Sequence, residues 1–72
     1  MPLPKESQNI QMREKLLESA LELFLEKGYH NTAIRDIIKR AMVGTGTFYN
    51  YFADKEAVLE VLLGAFASQI IE

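Results

Sequence analysis

The chain has 72 residues, 49% of them apolar and 25% charged, with no cysteine and no tryptophan. A chain this short buries only about 60% of the surface its unfolded form exposes, so it makes one small domain or a piece of a larger one, with the composition of a folded protein rather than a disordered one. The missing cysteines exclude a disulfide framework and a thiolate metal site, and a formal net charge of −2 argues against a polyanionic partner unless the charge is unevenly spread.

It is unevenly spread. Between positions 27 and 55 the chain carries Lys27, Arg35, Lys39, Arg40 and Lys55 against Asp36 and Asp54, whereas acid gathers at Glu14, Glu18, Glu22 and Glu26 and again at Glu56, Glu60 and Glu72. The middle is basic between acidic flanks.

In chain order, residues 1–8 hold two prolines and no apolar period, which predicts a mobile arm. No apolar core of a signal peptide is present there, and the absence of cysteine leads to the expectation of a reducing cytoplasm. A first helix is predicted from residue 9, with Ile10, Leu17, Leu21 and Phe24 in one stripe that Leu16, Ala20 and Leu23 widen. Gly28 is the expected stop, because glycine readily takes the left-handed conformation that closes a helix. The four glutamates of this helix recur every fourth residue. Neighbouring like charges at that spacing cost about 0.2–0.5 kcal/mol a pair, so the row is expected to face water.

A second helix follows, with Thr32 as the predicted N-cap and Ile34, Ile37, Ile38 and Ala41 in the i, i+3, i+4, i+7 spacing of a buried stripe. Arg35, Asp36, Lys39 and Arg40 are left for solvent or a partner. Met42, Val43 and Gly44 make a short connection to a third helix over Thr45–Tyr51. There Phe48 and Phe52, four residues apart, point inward, and Tyr49, Asn50 and Tyr51 project outward. Asp54 is the expected cap of a fourth helix from Lys55. That helix is apolar on nearly every side, through Ala57, Val58, Leu59, Val61, Leu62, Leu63, Ala65, Phe66, Ala67, Ile70 and Ile71, and the chain stops without a C-cap, which predicts a partner domain or subunit outside it. Glu60, Gly64, Ser68 and Gln69 break the run too often for a membrane span.

Two short helices joined by about three residues, the second with buried aromatics and a polar outer side, have the geometry of a helix-turn-helix, whose second helix enters the DNA major groove. Gly44 and Gly46 would let backbone approach bases or phosphates closely. Thr45 and Thr47 offer a hydroxyl and a methyl suited to base edges, and the phenols of Tyr49 and Tyr51 suit phosphate oxygens. Thr32 is first a cap and second a phosphate contact, and Lys39 and Arg40 are equally open to phosphate or solvent. His30 stands alone, without a second ligand in reach of its spacing, which makes metal or catalytic work a poor reading. No nucleophile motif, phosphate-cradling loop or paired ligand spacing supports an enzyme. The alternative is a helical protein-interaction module that uses Tyr49, Tyr51 and the apolar surplus of the fourth helix.

Residues 16–59 also resemble the DNA-binding domain of the TetR family of bacterial transcriptional regulators. The similar runs are LLESALELFLEKGYHNTAIRDI and VGTGTFYNYFADKEAVL, with Gly46, Thr47, Tyr49, Tyr51, Phe52, Lys55, Glu56 and Leu59 as the most specific combination. The resemblance implies an all-α, homeodomain-like three-helix bundle over residues 9–53, with residues 54–72 connecting to an absent ligand-binding and dimerisation domain. It further implies a dimeric repressor of a palindromic double-stranded operator, released by a small-molecule inducer held in that absent domain, with no cofactor in this segment. Tyr49 and Lys55 would touch phosphates, and Arg35 would reach a base or phosphate. Three positions depart from the family's pattern: Met42 stands for the usual turn glycine, Ile38 for a small residue, and Thr45 for a usual lysine or arginine.

Overall fold

The computed structural model describes the backbone of residues 5–71 and the side chains of residues 11–64. Four helices follow one another: α1 (Lys5–Lys27), α2 (Ile34–Ala41), α3 (Thr45–Tyr51) and α4 (Lys55–Ile71), with no strand among the described residues. Helix α1 packs against α2 and α4, and α2 packs against α3.

The first helix starts at Lys5, four residues before the apolar pattern does. Lys5, Glu6, Ser7 and Gln8 contain no helix breaker. Periodicity cannot see a turn that carries no apolar residue. The part of the expected arm over residues 1–4 lies outside the described residues, as do the side chain of Ile10 and those of residues 65–72, on which much of the all-round apolarity of α4 was to rest.

The core joins all four helices through Leu16, Ala20 and Leu23 of α1, Ile37 and Ala41 of α2, Phe48 of α3 with its cap residue Phe52, and Val58 of α4. Leu16, Ala20 and Leu23 stand at i, i+4 and i+7, so the centre of the buried face falls on them. Leu17 and Phe24, expected at the middle of the stripe, lie at its edge and are partly buried. Full burial of a side chain the size of Phe48, Leu16, Ile37 or Val58 contributes about 1.5–3 kcal/mol each. Helix α4 adds Ala57, Val61 and Leu62 to this cluster, while Leu63 is 57% exposed.

The helix ends are built as follows. Gly28, at φ 89°, closes α1, and its N–H donates to the Phe24 carbonyl. A side chain there would meet nothing closer than Asn31 Nδ2 at 3.8 Å, so conformation, and not space, requires the glycine. Asp54 caps α4 as expected, its Oδ1 accepting from the Ala57 N–H at 2.9 Å.

Thr32 does not cap α2. Ala33 is the N-cap, in extended conformation, and its own N–H donates to Asp36 Oδ2 at 2.9 Å. Thr32 is buried, and its hydroxyl donates back to the Gly28 carbonyl at 2.8 Å. A threonine is a good cap only if its hydroxyl is free to face the first turn of the helix; here the α1–α2 turn has already claimed it.

Candidate nucleic-acid interface

The α2–α3 connection is set by a Schellman closure. Met42 adopts the left-handed conformation, φ 60° and ψ 46°. Its N–H donates to the Lys39 carbonyl at 3.3 Å, and the Val43 N–H donates to the Ile38 carbonyl at 3.2 Å. The hydrophobic pair that accompanies this motif is Ile38 and Val43, both packed on the core. The departure of Ile38 from a small residue thus has a use in the turn. Met42 itself is 86% exposed and bears the strain of a left-handed non-glycine residue.

From that turn α3 projects with one anchored face. Phe48 is wholly buried, its ring tilted against that of Phe52 at 5.9 Å and edge-on to Tyr49 at 5.2 Å. Phe52 in turn lies under the Arg13 guanidinium at 5.8 Å. With the two phenylalanines fixed inward, helical spacing turns the rest outward. Gly44, Thr45, Gly46, Tyr49 and Asn50 are exposed, and Thr47 is half-buried. Tyr51, expected to project outward, instead is half-buried and packs against the core, because it follows Phe48 by three residues and so shares the edge of its face.

Neither α3-side glycine is demanded by the fold. Gly44 has φ −80°, and a Cβ there would make only ordinary contact with Thr47 Oγ1 at 3.9 Å; a Cβ on Gly46 would meet no atom within 4 Å. Gly46, inside α3, lowers helix stability without a packing return, whereas Gly44 stands at the N-cap, where glycine is well tolerated.

The cations of the basic middle divide into two sets. Arg40 donates to both carboxylate oxygens of Glu26, at 2.6 and 2.9 Å, and lies 3.5 Å from Glu22. Lys27 pairs with Asp36 at 3.1 Å. The hydrogen bonds from Arg40 hold the Glu26 carboxyl below its ordinary range, and the bond from the Ala33 N–H, followed by that from Lys27, does the same for Asp36. Arg35 and Lys39 are exposed on α2, with no ion pair among the described residues. The glutamate row therefore does more than face water, since two of its members draw Arg40 onto α1.

Lys55 does not extend into solvent. Its ammonium donates to the Tyr29 carbonyl at 2.7 Å and the Thr32 carbonyl at 2.9 Å, and lies 4.2 Å from the centre of the Tyr29 ring. Tyr29 also packs edge-on against Phe24 and His30. Partial burial, and then the carboxylates of Glu56 and Asp54, raise its phenol above the ordinary value. An open cleft of about 500 Å³ lies here, lined by residues that include Tyr29, Thr32, Asp54 and Lys55.

The structure thus gathers Gly44, Thr45, Gly46, Thr47, Tyr49 and Asn50 on α3 and its approach, keeps Arg35 exposed on α2, and turns Thr32, Tyr51 and Lys55 toward the protein's own interior and turns. Sequence reading missed Tyr29 and the partners of Arg40. The signal for the second was available: glutamates repeated every four residues ask for a neighbouring cation.

The family model described as "Bacterial regulatory proteins, tetR family" matches residues 16–62. The HTH-type transcriptional regulator YuxN of Bacillus subtilis is 44% identical over 55 residues, covering 72% of this chain and 19% of its own. The HTH-type transcriptional repressor DhaR of Mycobacterium sp. strain GP1 is 41% identical over 59 residues, covering 82% of this chain and 30% of its own. A crystal structure described as a TetR-family transcriptional regulator from Syntrophomonas wolfei superposes with a TM-score of 0.80 at 62% identity, over 88% of this chain and 33% of that one. The chain spans a third or less of the length of these relatives.

Proposed function

The chain belongs to the tetR family of bacterial regulatory proteins, and from that premise we propose that the outer face of α3 reads operator DNA in the major groove. Its business is the regulation of transcription and not enzymatic turnover. The observation that carries the proposal is the division of α3: Phe48 is wholly buried while Thr45, Gly46, Tyr49 and Asn50 face out together.

Each of those groups suits one part of a duplex. The major groove, about 12 Å wide, admits a helix. The Asn50 amide pairs bidentately with an adenine edge, and the Thr45 and Thr47 methyls suit the thymine methyl. The Tyr49 phenol donates to a phosphate oxygen, which fixes register. Arg35, exposed in the first turn of α2, adds a charged phosphate or base contact. The bare backbone at Gly44 and Gly46 lets α3 lie close to the groove walls.

The protein acts as a homodimer joined outside residues 1–72, on a palindromic operator with half-sites about 34–36 Å apart, in the cytoplasm. It represses, and a small molecule bound outside this segment releases it. DhaR is named a repressor, which supports the sign of the regulation. No described helix is long and apolar enough to cross a membrane. Selection of bound duplexes from a random pool with the full-length protein tests the proposal. It should enrich an inverted repeat; a pool that stays random after repeated rounds would refute it.

A further inference from the structure

We infer that Lys39 is a further contact to the DNA backbone, one helical turn beyond Arg35, and that its neighbour Arg40 is not. The inference rests on the reading of α3 as the DNA-facing helix. Ile37 and Ala41 turn one side of α2 into the core, and helical geometry divides its charged positions into two rows. Asp36 and Arg40, four residues apart, form the row beside α1: Asp36 accepts from Lys27 at 3.1 Å, and Arg40 donates to Glu26 at 2.6 Å. Arg35 and Lys39, also four apart, form a second row about 100° round the helix from the first. Both are exposed, and neither is paired with a carboxylate among the described residues.

The fold does not account for that second row. Like charges at this spacing repel, and Arg35 stands in the first turn of α2, where a cation opposes the helix dipole. Asp36, the carboxylate next in sequence, is already spent on Lys27 and on the Ala33 N–H. Lys39 does suit the dipole in the last turn, but Arg40 beside it meets the same need while also tying α2 to α1. A strand of phosphates relieves the repulsion and uses both charges. Successive phosphates of one strand lie about 3.4 Å apart along the duplex axis, and side chains four apart leave a helix about 5–6 Å from one another, so Arg35 and Lys39 can serve one stretch of the same strand. Lys39 also borders the turn that leads into α3, since its carbonyl accepts from the Met42 N–H. Its flexible four-carbon stem lets the ammonium follow the backbone while α3 occupies the groove. Such a contact adds affinity and fixes register without a base preference.

The test titrates full-length wild type, Lys39→Gln, Lys39→Arg and Arg40→Gln with a duplex of random sequence over a range of salt, at a temperature where all four are folded. The two glutamine variants each remove one formal charge from adjacent positions of α2, so their net charges match. Lys39→Gln should weaken binding several-fold at low salt and make the log–log salt slope shallower by about 0.9. Lys39→Arg should keep the wild-type slope, and so should Arg40→Gln, whose charge is already spent on Glu26. A wild-type slope in Lys39→Gln overturns the inference alone, and so does an equal flattening in both glutamine variants, which would mean that the slope follows net charge and no particular contact. If wild type binds no duplex, the reading of α3 fails and this inference falls with it.

Discussion

Met42 and Gly46 are two residues at which the folded chain carries a cost that its own contacts do not explain, and they err in opposite directions. Met42 is left-handed and 86% exposed. The conformation costs a non-glycine residue about 1–2 kcal/mol, whereas glycine costs about 0.5–1 kcal/mol in lost chain entropy, so the strain is the larger of the two. Met42→Gly should therefore raise stability by about 0.5–1 kcal/mol, seen as a higher urea midpoint at unchanged slope. Gly46 is the converse case, with open space where a Cβ would stand. Gly46→Ala should stabilise the domain by about 0.5–1 kcal/mol while weakening duplex binding, and a titration showing undiminished affinity would mean that nothing approaches the helix there. Tyr49, 52% exposed, should behave differently again. Tyr49→Phe leaves stability unchanged and weakens binding to all duplexes alike, by about 1.5–3 kcal/mol if a charged phosphate accepts from the phenol; competition between random and selected duplexes checks the evenness of the loss.

At the level of helices, what the sequence revealed was whatever repeats. Apolar spacing predicted α2, α3 and the start of α4, and Gly28 and Asp54 marked an end and a beginning because their backbone and capping chemistry is local. What stayed hidden depended on contacts distant in sequence. Thr32 reads as a cap until its hydroxyl is seen bonded to Gly28, and Arg40 reads as a solvated cation until α1 brings Glu22 and Glu26 beside it. Nothing local to Lys55 announces the carbonyls of Tyr29 and Thr32 that its ammonium meets. The α1–α2 ion pairs also set a pH dependence. Glu26 and Asp36 have ordinary values of 4.5 and 3.8, and both are lowered in the folded chain. The unfolded chain then takes up protons at the ordinary values while the folded one still resists, so their contribution is present above those values and is lost as pH falls through the lowered ones. Urea midpoints should be flat near neutrality and drop in that acid window, and Glu26→Gln should flatten part of the drop; an identical acid limb in this variant would show that the pair with Arg40 carries none of it.

For the molecule as a whole, a net charge of −2 looks wrong for a partner made of phosphates until the charges are placed. Glu22 and Glu26 are partly neutralised by Arg40, and Asp36 by Lys27, while Arg35 and Lys39 stay exposed on the helix that precedes α3. Hydroxyl, amide and bare backbone groups supply most of the α3 face, so specific binding should show a modest salt slope, set by the few phosphates its cations reach. Amide shift mapping of the full-length protein, as a selected duplex is added, tests whether DNA meets the outer side of α3. The amides of Arg35, Thr45, Gly46, Tyr49 and Asn50 should move together while those of Glu14 and Glu18 hold still; shifts concentrated on α1 or the exposed side of α4, with α3 unmoved, would contradict it.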